Sequence, residues 1–134
     1  MSVIQTMRSH SGLTIAAIKN IRQTGSIVPS SAFLVKKMIR NIDFNRKMNI
    51  LELGAGTGVI TREVLNRMSD HSVLYSYENN VTLINTLESI NDSRLILKAE
   101  NVSGLHMLQN NYFDVVISSL PLANMAKGFK HKIY

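Results

Sequence analysis

Glu52-Leu53-Gly54-Ala55-Gly56-Thr57-Gly58 joins an acid to three glycines spaced two apart, at the end of an apolar run that begins at Asn49. Residues without a β-carbon let the backbone turn sharply and let a ligand lie against the peptide plane. The pattern therefore predicts a nucleotide-like ligand held at a strand-to-helix turn. A nicotinamide cradle reads G-x-G-x-x-G, whereas this chain reads G-x-G-x-G with an acid two residues before the first glycine. The spacing points away from a pyrophosphate.

Two further acids fall at corresponding places. Glu78, followed by Asn79, closes the next predicted strand 20 residues past Gly58, and Glu100, followed by Asn101, closes the one after that. A carboxylate at the end of the second strand accepts both ribose hydroxyls, and no arginine stands there to favour a 2′-phosphate. An acid or backbone group after the third strand reaches an adenine amine. Glu52 binds the ligand directly, binds it through water, or orients the glycine loop.

The elements that must position these residues alternate. Asn49 to Leu53, Val73 to Tyr77, Arg94 to Lys98 and Phe113 to Ser118 read as strands, with helices over Val59 to Met68 and Val81 to Ile90. Strand and helix in alternation imply a parallel sheet with right-handed crossovers and a ligand at the carboxyl ends of the strands. Ahead of this unit, Leu13, Ala17 and Ile21 recur at helical spacing, so Val3 to Met7 and Leu13 to Ile21 read as a helical arm. Pro29-Ser30-Ser31 then caps a basic helix over Ala32 to Ile39, and Asn41 to Lys47 is turn-like. The chain divides into basic amphipathic N-terminal helices over 1–47 and an α/β domain over 48–134, forming one compact unit.

A chain of 134 residues with 45% apolar and 18% charged residues is sized and composed for one folded domain. It has no cysteine, which excludes disulfides, thiol nucleophiles and cysteine-based zinc sites. No metal is expected. No apolar run approaches the roughly 18 residues of a membrane span, and the start lacks the apolar core of a secretory signal. The net charge of +6 is uneven, at +7 through Met48 and −1 beyond it. That asymmetry suggests an anionic partner, nucleic acid or an acidic membrane surface. His10, His71, His106 and His131 lack a partner motif and read as surface residues, and the seven methionines read as packing.

The glycine motif with Glu78 and Glu100 resembles the class I S-adenosylmethionine-dependent methyltransferases, over roughly residues 25–125. The resemblance implies a Rossmann-like sheet, S-adenosylmethionine as cofactor, and binding by Glu52, Gly54, Ala55, Gly56, Thr57, Gly58, Glu78, Asn79, Glu100, Asn101 and Ser118. Within that class, Ser118-Ser119-Leu120-Pro121 after the fourth strand, and Gly25 to Leu34 before the glycine motif, are similar to bacterial phosphatidylethanolamine N-methyltransferases. This implies that Ser118, Ser119, Leu120 and Pro121 line the catalytic centre and orient the acceptor amine. The related ribosomal RNA adenine dimethyltransferases usually read N-L-P-Y at this loop. Here Ser119 and Leu122 replace the amide and the stacking ring, so base methylation falls behind.

On the lipid reading the substrate is a phospholipid, and the protein is cytoplasmic and peripheral on the inner membrane surface. The apolar face of the N-terminal helices enters the acyl boundary while Lys19, Arg22, Lys36, Lys37 and Arg40 meet anionic headgroups. The sheet of the resembling family continues past its fourth strand, whereas this chain ends at Tyr134. The expectation is a sheet cut short after strand four, with an exposed edge open to self-association. A ribosomal RNA methyltransferase and a noncatalytic S-adenosylmethionine-binding module are the alternatives.

Overall fold

A computed structural model describes residues 3–8, 13–19, 32–100 and 112–119. Its strands are β1 (Val3–Arg8), β2 (Thr14–Lys19), β3 (Asn49–Leu53), β4 (Val73–Tyr77), β5 (Leu95–Lys98) and β6 (Val115–Ser118). Its helices are α1 (Ala32–Ile39), α2 (Val59–Arg67) and α3 (Val81–Leu87). The strands form one sheet in the order β1-β2-β6-β3-β4-β5. All neighbours are parallel except the β1–β2 pair, which is antiparallel with Val3 opposite Lys19 and Arg8 opposite Thr14.

The central strands β3 and β6 are buried on both faces and mainly apolar, with Glu52 and Ser118 as buried polar exceptions. In β3 everything from Ile50 to Leu53 is buried, and so is all of β6. β5 lies at the margin and is only half-buried, with Ile96 exposed. Tyr77 is buried at the end of β4, and the Tyr75 ring meets Tyr112 and Phe113 edge-on, with centroids 5.7 and 5.4 Å away.

One face of the sheet carries the main core. Ile50, Leu74, Val115 and Ile117 alternate along their strands and meet Val35, Met38 and Ile39 of α1 and Ile60, Val64 and Leu65 of α2. Each such side chain contributes about 1.5–3 kcal/mol when fully buried. The spacing 35, 38, 39 and 60, 64, 65 gives each helix a single apolar stripe, and both stripes are consumed by the sheet. This corrects part of the sequence reading, since the apolar face of α1 is not free to enter a membrane. The remaining face of α1 is basic.

The N-terminal helical arm is also corrected. Val3–Arg8 and Thr14–Lys19 are strands, and β2 pairs with β6 along Thr14–Val115 to Ala17–Ser118. Short apolar runs satisfy either period, and β-branched residues such as Val3, Ile4, Thr14 and Ile15 favour the extended form once an unpaired strand edge needs partners. Ile15 and Ala16 are fully buried there. The edge of the fourth sequence-predicted strand, β6, is therefore covered, and the outermost strands are β1 and β5. The side chains of Lys19 and Arg22 and the segment after Ser119 lie outside the described residues.

Local chemistry fixes the helix ends. Asn80 caps α3, its side-chain oxygen accepting the amides of Thr82 at 2.9 Å and Leu83 at 3.4 Å. Arg94, expected to open a strand, instead closes α2. Its guanidinium donates to the carbonyls of Leu65 and Met68, both at 2.9 Å, while Asp92 holds it through Nε at 3.0 Å and Nη2 at 2.7 Å. Two carbonyls at a helix end thus receive charged donors.

Candidate cofactor site at the carboxyl ends of the strands

The chain leaves β3 through three glycines with positive φ, 79° at Gly54, 58° at Gly56 and 90° at Gly58. The carbonyl of Tyr77, at the end of the neighbouring strand, accepts the amides of Gly54 at 3.0 Å and Ala55 at 3.1 Å. Gly58 donates to Ala55 O at 3.0 Å and opens α2. A β-carbon at Gly58 would lie 2.6 Å from Arg62 Nη1, the end of a flexible side chain that can move aside, and 3.0 Å from Leu87 Cδ2, so the backbone angle is the main reason for glycine and the Leu87 contact adds to it. At Gly56 a β-carbon would meet nothing within 4 Å. The loop faces open space there.

Glu78 grips this loop. Its Oε1 accepts the Gly56 amide at 2.9 Å and its Oε2 accepts the Asn80 amide at 3.0 Å. Each carboxylate oxygen keeps further acceptor capacity, so two hydroxyls of a ribose can still donate to it. Asn79 and Glu100 are exposed. Burial and, less strongly, the charge of Glu100 push the Tyr77 phenol up.

Glu52 plays a different part. It is 0% exposed, and its Oε1 accepts the hydroxyls of Thr61 on α2 and Ser76 on β4, both at 2.6 Å. Burial raises its pKa, opposed by the Ser76 and Thr61 hydrogen bonds. Its Oε2 has no partner among the described residues. The carboxyl thus ties β3, β4 and α2 together.

The end of β6 closes the other side. Ser118 is fully buried in register with Leu53. Ser119 donates its amide to Leu53 O at 3.1 Å and directs its hydroxyl to Gly54 O at 2.5 Å, with Leu53 O at 3.3 Å. Ala55 is buried within the turn and Thr57 is exposed, its carbonyl accepting Arg62 Nη1 at 2.8 Å. Leu120, Pro121 and Asn101 lie outside the described residues. The structure therefore brings the glycines, Glu78 and Ser119 into one hydrogen-bonded group, with Glu52 below it.

Sequence reasoning missed Thr61, Ser76, Asn80 and Arg62. Ser76 faces Glu52 only because β3 and β4 pair with Glu52 opposite Ser76, a register known once the sheet exists. Asn80 carried a readable signal, an amide residue directly before an apolar helical run.

A family model for the methyltransferase small domain matches residues 12–132. The chain belongs to that family. Its sheet is the Rossmann-like methyltransferase sheet, and its cofactor is S-adenosylmethionine. The residues fit that group: the open space at Gly56 admits a ligand against the backbone, and Glu78 retains acceptors for its ribose. No curated protein matches the chain. Among solved structures, a protein from Thermoplasma acidophilum assigned as a methyltransferase is 17% identical, with a TM-score of 0.49 over 82% of this chain and 47% of its own. A fibrillarin/Nop5p complex gives 17% and 0.47 over 55% and 37%. Coclaurine N-methyltransferase bound to N-methylheliamine and SAH gives 15% and 0.33 over 71% and 22%. The chain spans less than half the length of each of these three.

Proposed function

We propose that this methyltransferase domain methylates the amine of phosphatidylethanolamine at a membrane surface. The observation that carries the reading is the Ser119 hydroxyl. Its proton is committed to Gly54 O at 2.5 Å, so the oxygen can only accept from any further partner. An acceptor-only oxygen beside the cofactor loop suits a substrate that presents N–H.

When bound, S-adenosylmethionine supplies a methyl group already activated by its positive sulfonium. The remaining work is alignment and exclusion of water. Glu78 holds the ribose and, through Gly56, keeps the loop in its turned form. Ser119 accepts an amine hydrogen and so aims the nitrogen lone pair. The nitrogen must be unprotonated to attack. The amine sheds its proton to solvent before it docks. Membrane contact is supported by the basic charge of the N-terminal third; no helix among the described residues is long and apolar enough to cross a bilayer.

The test is transfer of a radiolabelled methyl group to vesicles containing phosphatidylethanolamine, with RNA as the parallel acceptor. Lipid labelling that falls at least tenfold in Ser119→Ala and returns partly in Ser119→Thr supports the proposal. Labelling of RNA alone, or binding of S-adenosylhomocysteine without transfer to either acceptor, overturns it.

A further inference from the structure

The outer face of α1 and the end of α2 form a second concave surface. Phe33, Lys36, Lys37 and Arg40 recur at i, i+3, i+4 and i+7, which places them on one side of α1, opposite the buried Val35, Met38 and Ile39. With Arg67 they line a cleft of about 370 Å³. Arg67 is tied to Glu63 at 3.0 Å, whereas Lys36, Lys37 and Arg40 form no ion pair with the described residues. Phe33 is 76% exposed at the start of the same helix.

We propose that this cleft is a docking site for the phosphate headgroups of an anionic phospholipid surface, separate from the methyl-acceptor site. Arg67 lies nine residues past Gly58 along α2, roughly 13 Å at 1.5 Å per residue, so one headgroup does not reach both. Three cations without an ion pair among the described residues, and a fourth at Arg67, complement phosphate. Among the described residues the lining contains no amide or hydroxyl side chain that could read a base, and Phe33 is its one ring, which is not the succession of stacking platforms that single-stranded nucleic acid uses. An exposed ring set among cations is the composition of a membrane-interface contact, the ring entering the acyl boundary and the cations meeting the headgroups. Because the apolar stripe of α1 is locked in the core, attachment is mainly electrostatic and salt-sensitive. The choice of a lipid occupant rests on the lipid reading above; the anion site itself does not.

The experiment is co-sedimentation of the protein with vesicles of phosphatidylcholine alone or mixed with phosphatidylglycerol, neither containing the amine acceptor. The wild type is expected to bind only the mixed vesicles and to release them in high salt. Lys36→Gln/Lys37→Gln/Arg40→Gln is expected to weaken binding about a hundredfold, at roughly fivefold per cation. Phe33→Ser is expected to weaken it several-fold, with S-adenosylhomocysteine affinity by calorimetry unchanged in both variants. If the triple variant loses that affinity through misfolding, Phe33→Ser and the two vesicle compositions decide. Equal binding to both vesicles, undiminished binding by the variants, or binding to inorganic phosphate or RNA without vesicles overturns the proposal. Vesicle binding without methyl transfer to phosphatidylethanolamine would sink the acceptor reading and leave this one standing.

Discussion

Glu78 accepts the backbone amide of Gly56 at 2.9 Å, so the carboxylate we propose for the ribose is also the latch that shapes the glycine loop. The two duties are coupled. Removing the side chain deletes ribose acceptors and frees the loop at once, whereas an amide keeps one acceptor oxygen and loses the charge.

Glu78→Ala is accordingly expected to weaken S-adenosylhomocysteine binding by about 10- to 100-fold, the value of one charge-assisted hydrogen bond of about 1.5–3 kcal/mol. Glu78→Gln should fall between it and the wild type. Calorimetric titration measures both, and unchanged affinity in Glu78→Ala would remove Glu78 from the site.

The glycines separate stability from binding. Gly58→Ala holds a β-carbon at φ 90° and 3.0 Å from Leu87 Cδ2, displaces the flexible Arg62 guanidinium 2.6 Å away, and should cost about 2–3 kcal/mol of stability. Gly56→Ala meets open space, so only the backbone cost of about 1–2 kcal/mol applies. Its new methyl group stands where the ligand needs room, so cofactor affinity falls more than stability does. Urea midpoints together with calorimetry distinguish the two; equal stability losses would refute the packing difference.

Legibility in the sequence followed locality. Asn49 to Leu53 and Val73 to Tyr77 were readable as strands because buried parallel strands are apolar on both faces, and the glycine spacing fixed the turn between Leu53 and Val59. The N-terminal strands were not readable, because what extends Thr14–Lys19 is the neighbouring edge of β6, just over a hundred residues away in sequence. Glu52 was visible as an acid, but its burial was not. That depends on Thr61 one helical turn beyond Gly58 and on Ser76 across the sheet, partners that only the folded register supplies.

Asp92 and Arg94 give an acid-sensitive contribution. Hydrogen bonds from Arg94 hold the Asp92 carboxyl down at about 2. A carboxyl depressed on folding adds stability that is present above its unfolded value, near 4, and is lost as pH falls from there through about 2. Urea midpoints between pH 5 and pH 2 should therefore drop less steeply in Asp92→Asn than in the wild type. Arg94→Ala should lose about 2–3 kcal/mol at neutral pH as well, since the Leu65 and Met68 carbonyls lose their charged donors. Parallel pH slopes in wild type and Asp92→Asn would show that the pair adds nothing.

Glu52 has the opposite sign. Burial raises its pKa above 4.5, so its protonated form is favoured by folding. The stability it contributes is complete below the unfolded value and is lost as pH rises through the raised folded value, where a buried carboxylate must form with only Oε1 served by hydroxyls among the described residues. Glu52→Gln keeps an oxygen to accept from Thr61 and Ser76 and cannot ionise. Its unfolding free energy should consequently lack the decline with pH above about 4.5 that the wild type shows. Thr61→Val removes one hydroxyl that stabilises the charged form, moving the decline to higher pH. Denaturant midpoints across pH 4 to 9 measure all three, and a wild-type slope matching that of Glu52→Gln would show that Glu52 carries its charge in the fold without cost.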